Sequence, residues 1–287
     1  MAFRKRIGAV DSMKSNSEST LSESNSSIRK EEIGIDMLER YTGTPPLELG
    51  NYILLTNFNK YLAKFSERYQ SPIVSGSAFQ CVTAKNEDIS IIDFSIGSPT
   101  AALIMDLLSY RNPKPKGVIM LGMCGGLNKR LSVGEFILPI AAIRDDGASQ
   151  HYMPPRVPAL PTFNVQKVAA EVLVENKLRY RTGVIHTTDY RFWEFDEKFK
   201  EELIEERAIA IDMECATLFI AGFASKVAIG ALMLVSDMPL TKHGIKTKKS
   251  ASEVFSKFTE LHLDLGIKSL QELKKRGDEL DIRHYEW

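Results

Sequence analysis

Gly117-Val118-Ile119-Met120-Leu121-Gly122-Met123-Cys124-Gly125-Gly126-Leu127 is the stretch on which the fold turns. A short apolar run rich in branched side chains reads as a buried strand, and glycines at its carboxyl end let backbone pass close to a ligand. The spacing G-x-x-G-G is not the dinucleotide fingerprint G-x-G-x-x-G, and no Gly-Lys-Ser/Thr follows to make a phosphate-cradling P-loop. A plain structural turn accounts for these glycines as well as a ligand loop does.

The same alternation of apolar run and amphipathic helix extends outward from it. Strands are predicted over Tyr52–Thr56, Ser75–Ala84, Ile89–Ile96, Lys116–Leu121, Glu135–Arg144, Tyr180–Thr187, Ala208–Asp212 and Val227–Val235. Helices are predicted over Asn59–Tyr69, Thr100–Tyr110, Asn164–Asn176, Glu197–Glu206, Glu214–Ser225 and about Ser250–Lys275. This order predicts an α/β fold, a mixed and mostly parallel central sheet flanked by helices, in one domain over residues 31–287. Residues 1–30 read as a serine-rich disordered tail, since MKSNSESTLSESNSS offers too little apolar area to offset its ordering. The charged end, KKRGDELDIRHYEW, reads as a solvated helix end, with a subunit contact through Tyr285 and Trp287 as the alternative.

The chain has 287 residues, 44% of them hydrophobic, enough to bury a full core. Lysine plus arginine balance aspartate plus glutamate at 37 each, which argues against a general nucleic-acid binder. Cys81, Cys124 and Cys215 are scattered and odd in number, so they suggest buried thiols in a reducing compartment rather than disulfides or zinc. No apolar run is long enough to span a bilayer, and no secretory signal follows the basic Arg4-Lys5-Arg6. A cytoplasmic protein is expected.

Three further segments could carry chemistry. In Ile96-Gly97-Ser98-Pro99-Thr100, Ser98 or Thr100 could cap a helix, or the helix start could hold an anion or an attacking oxygen. In Asp212-Met213-Glu214-Cys215-Ala216, Glu214 stands where strand meets helix. There it could accept hydrogen bonds from two ribose hydroxyls, or simply be an acid favoured by the helix dipole. In Leu234-Val235-Ser236-Asp237, partial burial at the strand end would make Asp237 a general acid; a turn or capping aspartate is the alternative.

Taken together, the glycine-rich run, the Met-Glu segment and the Ser-Asp segment resemble the nucleoside phosphorylase/nucleosidase superfamily from about Tyr52 to Leu270. GMCGGL, AAIRDDGASQHYMPPRVPAL, HTTDYRFWEFDE, DMECATLF and SDMPLTKHGIKTK are similar to the AMP nucleosidases within it. The resemblance implies hydrolysis of the N-glycosidic bond of AMP to adenine and ribose 5-phosphate. A phosphorylase or nucleosidase for unphosphorylated purine nucleosides is the alternative. The separate N-terminal regulatory domain of longer bacterial members is not expected.

By that resemblance Asp237, with Ser236 beside it, would act as acid toward purine N7, and Glu214 would hold the 2′ and 3′ hydroxyls. Met213 would pack on the sugar, Gly125 and Gly126 would line the pocket, and Phe192 or Trp193 would stack on adenine; ordinary core aromatics are the alternative for either ring. Hexameric phosphorylases of the family usually show Gly-Asp-Pro-x-Arg where this chain reads Thr56-Asn57-Phe58-Asn59-Lys60-Tyr61. They also carry arginine where it has Met120. Without those guanidinium clamps, water is the expected nucleophile. For a 5′-phosphate the basic candidates are Lys60, Arg144, Arg191, Lys242, His243, Lys246 and Lys248, with Arg191, Lys246 and Lys248 best placed. His186 and His151 are further candidates for substrate contact, with core packing as the alternative. No cofactor, metal, nucleic-acid or membrane partner is expected. The implied partners are a purine nucleotide and further copies of the chain in a homohexamer.

Overall fold

A computed structural model of the chain describes residues 28–241 and 244–277. It is built of strands β1 (Tyr52–Thr56), β2 (Val74–Ser75), β3 (Gln80–Ala84), β4 (Ile89–Asp93), β5 (Gly117–Gly126), β6 (Phe136–Asp145), β7 (Tyr180–Thr188), β8 (Ala210–Asp212) and β9 (Ile229–Asp237). Among the described residues there are seven α-helices: α1 (28–42), α2 (Asn59–Tyr69), α3 (Ser98–Tyr110), α4 (Phe163–Glu175), α5 (Glu197–Glu205), α6 (Cys215–Ser225) and α7 (Lys248–Arg276). Most of the expected serine-rich tail lies outside the described residues, as do Lys242, His243, Tyr285 and Trp287.

The strands join in one sheet of order β2-β3-β4-β1-β5-β8-β7-β6-β9, and β9 pairs again with β5. Strands β5, β8, β7, β6 and β9 therefore close into a ring, from which β1, β4, β3 and β2 extend. Pairing is parallel for β1–β4, β1–β5, β5–β9, β6–β7 and β7–β8 and antiparallel elsewhere. The mixed α/β sheet read from the sequence is what forms.

Continuous apolar runs arise because both faces of the sheet are covered. In β1, Ile53 and Leu55 pack into the core beneath α3 and α6, while Tyr52 and Leu54 join the core beneath α2, α4 and α7. In β5, Val118 and Met120 face the first core, and Ile119 and Leu121 the second. Helix α6, CATLFIAGFAS, is apolar nearly all round because it is buried nearly all round.

Two expectations need correction. The run Ser75–Ala84 is not one strand: Gly76-Ser77 break it, so β2 and β3 pair antiparallel with Val74 opposite Cys81. The glycine-rich segment is not a loop either, because β5 continues through Gly126. Its last residues are flanked on both sides, Gly125 by Ile211 of β8 and by Asp237 of β9. A Cβ on Gly125 would stand 3.1 Å from Pro239 and 3.2 Å from Ile211, and one on Gly126 2.6 Å from the Met238 sulfur. Glycine is there to let three strands meet. No helix among the described residues is long and apolar enough to cross a membrane.

Candidate active site

The carboxyl ends of β5 and β9 and the β8–α6 junction meet at a cavity of about 200 Å³. Gly125, Met213, Glu214, Ser236, Asp237 and Lys246 all line it, as do Arg191 and Trp193. The ring closure brings these segments together although they are far apart in the chain.

Glu214 reaches the cavity because another acid does the capping. The Asp212 carboxylate accepts from the backbone N–H groups of Glu214 at 3.1 Å and Cys215 at 2.8 Å. The Thr187 hydroxyl donates to Asp212 at 2.5 Å and accepts from Ala216 N–H at 3.0 Å. With the first turn of α6 satisfied this way, the Glu214 side chain is released to accept from Gly97 N–H at 2.8 Å. Gly97 sits at φ +101°, where a side chain would be strained, so glycine is what aims this N–H at the carboxylate. Glu214 is 2% exposed. Burial, and then the charge of Asp212, push its carboxyl up to about 8, while hydrogen bonds from Gly97, Met213 and Asn57 oppose the rise. Burial raises Asp212 as well.

Asp237 stands at a bulge: Val235 pairs with Cys124 and Asp237 with Gly125, leaving Ser236 as the extra residue of β9. The bulge places two successive polar side chains at the cavity. Ser236 Oγ donates to Asp237 Oδ1 at 2.6 Å, and Lys246 Nζ donates to Ser236 Oγ at 3.0 Å. Burial raises the Asp237 carboxyl, with Glu194 adding to the rise; Ser236, Lys246 and Arg191 pull it back. Burial likewise depresses Lys246, against the pull of Asp237. The result is a shielded carboxyl group, raised by burial above the ordinary carboxylate range, with a hydroxyl and an amine behind it.

Other sequence candidates lie elsewhere. Ser98 is fully buried and donates to the Met213 carbonyl at 3.0 Å, so it positions the Met213–Glu214 segment without lining the cavity. Gly126 is buried against Met238 and Val235. Phe192 is 67% exposed beneath Arg191 and does not line the cavity, whereas Trp193, 6% exposed, does. Arg144 is absent from the site: its guanidinium is bound to Ser149 and to the carbonyls of Met153, Pro154 and Val157, which tie down the 146–157 segment. Lys248 is exposed at the start of α7, and Lys60 packs over Phe255. His186 bridges Asp145 and Glu206 as a structural link, and His151 is exposed. Met120 is fully buried in the core and does not line the cavity, so only the Asn57 end of the departure from the phosphorylase pattern touches the site.

Sequence reasoning missed Asp212 and Glu194 as site residues. Asp212 was legible as an acid three residues before the first helical residue, Cys215; Glu194 had only its spacing from Arg191, to which it pairs at 3.0 Å.

Residues 51–268 match the family model of the Phosphorylase superfamily. The AMP nucleosidase of Escherichia coli (strain K12) is 29% identical over 303 aligned residues, covering 89% of this chain and 61% of that protein. The chain thus spans less than two thirds of that relative's length. The uridine phosphorylase of Treponema pallidum (strain Nichols) is 24% identical, over 69% of this chain and 81% of that protein. Among solved structures, AMP nucleosidase from Bacteroides thetaiotaomicron VPI-5482 superposes with a TM-score of 0.76 at 41% identity, covering 86% of this chain and 98% of that one. Uridine phosphorylase from Vibrio fischeri ES114 shares the fold, with a TM-score of 0.70 at 16% identity over 79% and 94% of the two chains. The match over 51–268 and the likeness to the Bacteroides structure establish that the chain belongs to the phosphorylase superfamily and is similar to AMP nucleosidases within it.

Proposed function

We propose that the protein hydrolyses the N-glycosidic bond of AMP, giving adenine and ribose 5-phosphate. The observation that carries this reading is the meeting of Glu214 and the shielded Asp237 on one cavity, in a chain similar to AMP nucleosidases. In this mechanism Glu214, once ionised, accepts hydrogen bonds from the 2′ and 3′ hydroxyls. As the C1′–N9 bond breaks, its electron pair leaves with the purine, and Asp237 supplies the proton to N7. Water then adds to the oxocarbenium carbon and loses a proton. Among the described residues two cations line the cavity: Lys246, which donates to the Ser236 hydroxyl, and Arg191, which is paired with Glu194. So few cations, one of them already paired with a carboxylate, support a single phosphate group, that of the substrate, and favour water over inorganic phosphate as nucleophile.

The same scarcity of cations gives the second reading its footing: a nucleosidase or phosphorylase acting on unphosphorylated purine nucleosides. Incubation with AMP or adenosine, with and without phosphate, followed by identification of the sugar, separates the two. Ribose 5-phosphate from AMP is expected, and ribose 1-phosphate would sink the hydrolase reading. A cytoplasmic homohexamer is part of the proposal. The exposed Ile96, Tyr190, Phe192 and Phe195 around the site supply apolar surface for contacts between copies. Light scattering on the purified chain is expected to give six times the 32.2 kDa monomer mass.

A further inference from the structure

Glu194 lies on the short turn Trp193–Phe195 and is 7% exposed. One carboxylate oxygen, Oε1, accepts from Arg191 Nη1 at 3.0 Å. The other, Oε2, is enclosed and has no hydrogen-bond partner among the described residues. An enclosed carboxylate oxygen without a donor is unfavourable, and such an oxygen calls for a ligand to supply one.

The neighbourhood identifies the donor. Glu194 lines the same cavity as Asp237, and its charge is felt there. In the reading above, where Asp237 serves the departing purine, Glu194 belongs to that end of the cavity. If Asp237 serves N7, the nearest donor on a purine is an amino group on C6, which shares the N7 edge of the ring. A 6-oxopurine turns a carbonyl oxygen to that edge, and its N1–H lies on the far side of C6. We propose that Glu194 is a specificity-determining residue that accepts a hydrogen bond from the 6-amino group of the base and rejects 6-oxopurines. This rests on the purine nucleotide reading above. Arg191 holds the carboxylate in place, so one ion pair both fixes the acceptor and neutralises it while the site is empty. Sites built to bind a hydrogen-bonding group discriminate strongly, because the wrong ligand leaves buried polar atoms unpaired.

The test compares AMP, IMP and purine riboside 5′-monophosphate as substrates of the wild type and of Glu194→Gln. Adenine and hypoxanthine binding is followed in parallel by calorimetry. For the wild type, kcat/KM for AMP is expected to exceed that for IMP by about 100-fold and that for the unsubstituted purine by about 10-fold. In Glu194→Gln, whose amide N–H suits a carbonyl, the AMP-to-IMP ratio is expected to fall to within about 10-fold of unity. A wild type that takes both nucleotides equally, or a variant that loses both in equal proportion, overturns the assignment. Equal use of AMP and IMP by the wild type overturns the assignment even if the variant does not fold. Should no nucleotide be cleaved, a preference for adenine over hypoxanthine that Glu194→Gln loses upholds the role of Glu194 while the proposed reaction fails, and equal binding by the wild type refutes it.

Discussion

Burial raises the Asp237 carboxyl, and two neighbours temper the rise: Ser236 at 2.6 Å and, behind that hydroxyl, Lys246. Replacing Asp237 by Asn keeps the shape and removes the proton, so kcat is expected to fall by about 10²–10⁴-fold with little change in thermal stability. Unchanged turnover in that variant would remove the catalytic assignment. Lys246 works in the opposite direction, since its charge holds the Asp237 carboxyl down. Without that cation the proton stays on Asp237 to higher pH. The alkaline limb of the Lys246→Met pH profile for kcat is therefore expected to move upward; a limb that stays in place argues against the coupling. Asp237 and Glu214 were legible in the sequence as acids at strand ends, a placement that single-chain patterns do carry. Lys246 was legible only as a charge. Its placement against Ser236 depends on tertiary packing around the cavity, which no local pattern encodes.

Two elements turn these residues into a site. The end of β5 is squeezed between β8 and β9 at Gly125. Gly125→Val would drive branched methyl groups into Pro239 and Ile211, whose atoms already stand 3.1 and 3.2 Å from an ideal Cβ. A loss of about 1–3 kcal/mol in chemical denaturation is expected, with a larger proportional loss of activity as Asp237 is displaced. Retention of both would mean that the three-strand contact is slack. Helix α6 is the second element, and its division of labour separates Asp212 as cap from Glu214 as ligand group. The strand and helix boundaries around both were nearly readable from periodicity. The exception is instructive: Gly122–Gly126 looks like a turn because glycine is poor in strands, yet here tertiary crowding selects it within one.

For the molecule as a whole, the buried pair of acids links stability to pH. The Glu214 carboxyl is about 8 in the folded chain against an ordinary 4.5, so between those values the native state holds a proton that the unfolded state has lost. Stability therefore falls as pH rises through that window. Glu214→Gln removes the dependence. The variant's melting temperature relative to wild type is expected to improve from pH 5 to pH 8, by the equivalent of about 2–4 kcal/mol. Parallel melting curves across that range would show that Glu214 is not held protonated. The sequence by itself determined the alternation of strands and helices, the two-sided burial of β1 and β5, and the two acids worth testing. These follow from side-chain periodicity and local backbone preference, which act over a few residues. The tertiary structure alone decided that β9 returns to β5 and closes the ring, that Arg144 and Met120 lie away from the cavity, and that Glu194 and Lys246 face it. Those outcomes depend on which distant segments share one space, and packing of the whole chain settles that.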